Sequence, residues 1–151
     1  MIELMSGPLE YTVIHHDVYR VDAEWWIQLP AKFKGREYQI KDSNGKLVCA
    51  LKSDCRLYVY PGCIWDGSSG PTVDGKADPI PSLVHDKLHE GGRAGKLPPA
   101  LRTYADSLYY DQLRARGMSR TRAGLRYVAL RIIGWTAWRR KRGEYVQKRA
   151  A

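Results

Sequence analysis

The chain has 151 residues, a length that suits one domain able to bury about two-thirds of its unfolded surface. Aromatic residues make up 11% of it, with five Trp and ten Tyr, which excludes a disordered chain. The formal charge of +9 sits almost wholly at one end: from Arg114 to Ala151 twelve bases face a single acid, Glu144, while the rest of the chain holds 13 bases and 15 acids.

The first thirty residues contain Glu3, Glu10, His15, His16 and Asp17 without a long apolar run, so they do not read as a signal peptide. No span of about eighteen apolar residues predicts a membrane-crossing helix either. Residues 1–64 read as mainly β, because Tyr11–Ile14, Val18–Val21, Trp25–Ile27, Glu37–Ile40, Leu47–Leu51 and Arg56–Tyr60 are rich in β-branched and aromatic residues. Asp42-Ser43-Asn44-Gly45 predicts a hairpin turn between two of these runs. His15-His16-Asp17 reads as a strand end near solvent rather than a ligand cluster. Cys49, Cys55 and Cys63 lack C-x-x-C spacing, which disfavours a cysteine zinc site and points to reduced thiols.

Residues 65–81 hold too many Gly, Pro and Ser for a periodic element and read as a long loop, of the kind that is often functional in a compact domain. Residues 82–142 then read as three helices. Ser82 is placed to cap the first, which presents Val84, His85, Leu88 and His89 before Gly91-Gly92 stops it. Pro98-Pro99 opens the second, whose Leu101, Tyr104, Ala105, Leu108 and Leu113 recur at helical intervals until Gly117. Ser119 starts the third, which runs through Tyr127, Leu130 and Trp138 toward a basic tail at 143–151. The expected architecture is a single α+β domain: a small N-terminal antiparallel sheet, a Gly/Pro loop and three C-terminal helices.

Within this frame Asp66-Gly67, His85-Asp86 and Ala105-Asp106 form a candidate site. Adjacent helical residues diverge by about 100°, so His85 and Asp86 serve different partners. An imidazole titrating near working pH suits a general base, and a carboxylate on a second helix suits the task of orienting it. Oxygen ligands such as Asp66 and Asp86 suit a hard divalent cation, calcium or magnesium.

The spacing Asp-Gly, His-Asp and Ala-Asp resembles the secreted phospholipase A2 superfamily, notably its compact prokaryotic members. That resemblance implies calcium held by Asp66, Asp86 and the Gly67 segment, a water-activating His85, and Asp106 as orienting residue. It further implies hydrolysis of a lipid or other ester of a bacterial envelope. Where that family's pattern has a tyrosine whose hydrogen bond supports the pair, this chain has His89. The chain also lacks a cysteine joining the two helices, so its scaffold must rest on packing. Over most of its length the chain resembles a phage-borne family of unknown function with the same loop aspartate, His-Asp helix, Ala-Asp helix and arginine-rich helix ending in Gly-Trp. This implies a protein made in the host cytoplasm that associates with other virion proteins.

Other readings stand beside this one. His85 and His89 are four apart, so one helix face could offer two imidazoles to zinc with Asp66 or Asp106 as a third ligand, although no glutamate follows His85 as a metalloprotease motif requires. His89 equally reads as an ordinary helix-end residue, and the histidine–aspartate set as a buried network that locks two helices. Ser68 and Ser69 do not match a nucleophile elbow. Trp135 and Trp138 beside Arg139, Arg140, Lys141 and Arg142 suggest contact with an anionic membrane surface, with a solvated basic helix as the plain alternative. A nucleic-acid partner is less favoured, because no recognised motif accompanies the bases.

Overall fold

The computed structural model describes residues 3–15, 18–66 and 79–138, with His15 and residues 133–138 described as backbone only. Among them the fold is α+β, with seven strands in the N-terminal part followed by three helices. The strands are β1 (Tyr11–His15), β2 (Val18–Val21), β3 (Trp25–Gln28), β4 (Tyr38–Lys41), β5 (Leu47–Leu51), β6 (Arg56–Val59) and β7 (Ile64–Asp66). The helices are α1 (Ile80–Arg93), α2 (Ala100–Ala115) and α3 (Arg120–Trp138). None of the described helices is long and apolar enough to cross a membrane.

The strands divide into two antiparallel sheets rather than the one expected, in the orders β1-β2-β7 and β3-β6-β5-β4. β2 sits between β1 and β7 while the next strand, β3, pairs with β6, so the chain changes sheet between Val21 and Trp25. The predicted hairpin joins β4 and β5. Asp42 Oδ1 accepts the backbone N–H of both Asn44 and Lys46 at 2.9 Å, and Gly45 takes the positive φ of 80° that the turn requires.

β7 was hidden by the composition of the segment that follows it. Residues 65–81 read as a loop, yet Trp65 and Asp66 belong to a strand in which Trp65 pairs with Tyr19 and Asp66 with Val18. Trp65 is fully buried, stacks on the Tyr19 ring at 5.1 Å and donates its indole N–H to Ser82 Oγ at 3.2 Å. That bond ties β7 to the start of α1.

The limits of α1 also differ from expectation. Ser82 does not cap it; the helix begins two residues earlier after Pro79, and the Ser82 hydroxyl donates back to the Pro79 carbonyl at 2.8 Å. Pro79 and Pro81 are tolerated there because first-turn N–H groups have no intrahelical acceptor. Gly91 and Gly92 do not stop the helix, which closes at Gly95 with φ 75°. The N–H groups of Gly95 and Lys96 reach the carbonyls of Gly92 and Gly91, the double bond of a Schellman motif. α2 ends in the same way at Gly117, with Met118 bonded to Leu113, and Ser119 caps α3 through the N–H of Arg122 at 3.2 Å.

α1 is the centre of the molecule. Every residue from Ile80 to Gly92 is buried, because α2, α3, β4 and β7 surround the helix. Leu83, Val84 and Leu88 join Trp25, Ile27, Phe33, Leu57 and Trp65 in one core. A helix enclosed on all faces cannot turn its polar side chains to water, so each must be answered by a partner.

Gly91 is the point of closest approach. A Cβ there would lie 2.6 Å from Cζ of the buried Tyr38, whose hydroxyl donates to the Lys87 carbonyl at 2.9 Å. Gly91→Ala therefore trades a helix-propensity gain of about 1 kcal/mol against an overpacking cost of roughly 1–3 kcal/mol. The urea midpoint should fall. A raised midpoint would show that the Tyr38 ring yields without cost.

Candidate functional site

α1 presents five ionisable side chains to the interior: His85, Asp86, Lys87, His89 and Glu90. The turn-to-turn spacing of the helix sorts them into two groups. His85 and His89 lie one above the other and meet α2, whereas Lys87 and Glu90 meet the strand side.

The first group converges on Asp106 of α2, which is completely buried. His85 Nε2 lies 2.7 Å and His89 Nε2 3.0 Å from the same oxygen, Asp106 Oδ1. The other oxygen, Oδ2, accepts from Arg131 Nη1 of α3 at 3.0 Å, and Arg131 also donates to Thr103 Oγ1 at 3.3 Å. Burial alone would raise the Asp106 carboxyl pKa, but the hydrogen bonds it accepts from His85 and His89 outweigh it. The group is held well below the ordinary carboxylate range. An ionised carboxylate only accepts, so both imidazoles must carry their proton on Nε2 when no cation is bound. The lone pair of each ring then resides on Nδ1, and that of His85 finds no hydrogen-bond partner among the described residues.

His89 is pushed down to about 3, first by burial and then by His85, whose ring centroid is 4.0 Å away; the hydrogen bond to Asp106 opposes the shift. His89 therefore stays neutral across the working range. The ring of Tyr109 lies 5.2 Å from that of His85 and closes the site on the α2 side.

The second group is an ion network. Lys87 Nζ donates to the Ile64 carbonyl of β7 at 2.7 Å and to Glu90 Oε2 at 2.8 Å, and lies 3.4 Å from Asp86 Oδ2. Burial favours the neutral amine, but Cys63, Glu90 and Asp86 outweigh it and hold the ammonium well above the ordinary lysine pKa. All three cysteines are reduced and buried, with Cys63 pushed up to about 11 by burial, so none is a ready nucleophile.

The expected residues thus separate. His85 and Asp106 meet as the spacing suggested, and His89 joins them in the position where the resemblance has a supporting tyrosine. Asp86 turns to Lys87 instead, and Asp66 ends β7. Gly67, Ser68, Ser69 and Arg139–Arg142 lie outside the described residues, as do His16 and Asp17. Trp135 and Trp138 lie on the backbone-only end of α3. The metal-capable group differs from the expected Asp66, Asp86 and Gly67. His85, His89 and Asp106 each offer one ligand atom, all within 4.8 Å of one another, and could hold a metal ion. Arg131 had no signal in the sequence, because 25 residues separate it from Asp106. The i,i+4 spacing of the two histidines was a visible signal for His89.

Compared with family models, curated proteins and solved structures, the chain matches none of them.

The depressed His89 pKa has a definite sign in stability. Below its ordinary 6.5 the unfolded imidazole takes a proton that the folded one refuses until about 3. Stability is complete above pH 6.5 and is lost as pH falls toward 3, at ~1.4 kcal/mol per pH unit. Urea titrations in chelator across this window should show that slope, and His89→Asn should flatten it; an unchanged slope would assign the acid sensitivity elsewhere.

Proposed function

We propose that the protein is a hydrolase of ester bonds in which His85 is the general base and Asp106 its positioning residue. The observation that carries this reading is the 2.7 Å bond between His85 Nε2 and an ionised, fully buried Asp106. It commits the Nε2 proton to the carboxylate and leaves Nδ1 as the basic atom, the arrangement a proton-abstracting imidazole needs. His89 and Arg131 occupy two further acceptor sites of Asp106, one on each oxygen, and restrain it from rotating. In this mechanism Nδ1 of His85 takes a proton from water as water attacks the ester carbonyl. Asp106 stabilises the imidazolium, and the proton passes on to the departing alcohol. The substrate class is a lipid or related ester of a bacterial envelope, as the resemblance to phospholipase A2 implies.

A calcium ion at Asp66, Asp86 and the Gly67 carbonyl would supply electrostatic stabilisation of the oxyanion. The described donors suit calcium poorly, because Asp86 already has the Lys87 ammonium at 3.4 Å. They suit a borderline metal better, and one observation favours a second reading: both imidazoles present Nε2 to one carboxylate oxygen, a two-histidine, one-carboxylate set of the kind that binds zinc. There His85 would be a ligand and not a base, in a hydrolase directed at peptidoglycan or a phosphodiester.

Hydrolysis of phosphatidylglycerol vesicles and of a chromogenic ester, each with calcium, with zinc and with chelator, tests the proposal. His85→Ala should abolish turnover, and Asp106→Asn should lower kcat by roughly 10²–10⁴-fold while both variants retain the native circular dichroism spectrum. Equal turnover by parent and His85→Ala would reject the base assignment. One zinc per chain, lost in His85→Ala and His89→Ala alike, would select the metal-centre reading.

A further inference from the structure

The inner face of α3 is accounted for: Ala123 and Leu130 are buried against Tyr109 and Leu113 of α2. Its outer face is not. Leu125, Val128 and Ile132 are 68%, 52% and 70% exposed, unusual values for three aliphatic side chains on one helix. Their spacing of three and then four residues sets them within about 60° of arc, opposite the buried side. At the same 100° per residue, the exposed Arg122 falls on one flank of this stripe and the exposed Arg120 on the other, while Arg131 turns inward to Asp106. α3 contains no acidic residue.

We propose that this face docks on an anionic lipid bilayer, with Leu125, Val128 and Ile132 entering the headgroup and acyl boundary and the flanking arginines meeting lipid phosphates. Two properties of the face must be satisfied together. An apolar stripe calls for an apolar medium, and a basic border on a helix that has no acidic residue calls for fixed negative charge. A second copy of the helix would supply the first and violate the second, since arginines would face arginines. A nucleic acid would satisfy the charge and leave the aliphatic side chains in water. An anionic bilayer answers both, as it does for helices that lie in the interface plane. The charge of the chain has the same sense, twelve bases against one acid from Arg114 onward. This surface is separate from the His85 site and stands or falls independently of the hydrolytic reading.

The test is co-sedimentation of the full chain with vesicles of phosphatidylglycerol and phosphatidylcholine, and with phosphatidylcholine alone, over a range of salt. The parent should bind the anionic vesicles and bind neutral ones far more weakly. The triple substitution Leu125→Ser, Val128→Ser and Ile132→Ser should weaken that binding about tenfold or more at fixed salt, with an unchanged melting curve because the three side chains are exposed. Arg120→Ser with Arg122→Ser should weaken it and reduce its salt dependence. Binding of the triple variant equal to the parent's would overturn the proposal and attribute attraction to charge alone. So would absence of binding to anionic vesicles. A DNA affinity that falls in the triple variant, or a dimer in solution that the same substitutions dissolve, would replace lipid by that partner.

Discussion

The structure is organised by the demands of one helix. α1 is buried along almost its whole length and yet carries two histidines, two acids and a lysine, groups whose transfer from water is costly unless every one finds a partner. The molecule answers with two anchoring contacts on opposite sides of the helix. Asp106 receives both imidazoles together with a guanidinium from α3, so that one carboxylate joins three helices. Lys87 gathers Glu90, Asp86 and the carbonyl of Ile64, which joins α1 to β7. The relative placement of helices and strands follows from these contacts as much as from the aliphatic core, because a shifted helix would leave charges buried without partners.

The same pairing shapes the chemistry available at His85. An ionised Asp106 accepts on both oxygens, which fixes the proton of each imidazole on Nε2 and leaves Nδ1 basic. His89, held neutral by burial and by the nearby His85, adds a donor without adding a second positive charge. A structural lock and an orienting device thus draw on one set of atoms. The convergence of two Nε2 atoms and one carboxylate oxygen also makes this the metal-capable group among the described residues.

α3 has a divided role that follows from its geometry. One side supplies Arg131 to the buried carboxylate and Ala123 and Leu130 to a small second core. The other side leaves aliphatic residues in water with arginines alongside them. A helix serving only the interior would be expected to carry polar residues there.

The sequence by itself determined the class of fold, most of the strands, the hairpin at Asp42–Gly45 and the ends at Gly117 and Ser119. These follow from local propensity, turn chemistry and helical period, each of which operates over a few residues. Its errors have the same origin: Gly91 and Gly92 read as a stop because the Tyr38 ring that needs the missing side-chain volume of Gly91 lies some fifty positions away, and β7 was masked by the glycine-rich residues that follow it. Only the tertiary structure decided that α1 is enclosed on every face, that Asp86 pairs with Lys87, and that Arg131 completes Asp106. Burial and long-range pairing depend on which surfaces come together, and no local pattern records that.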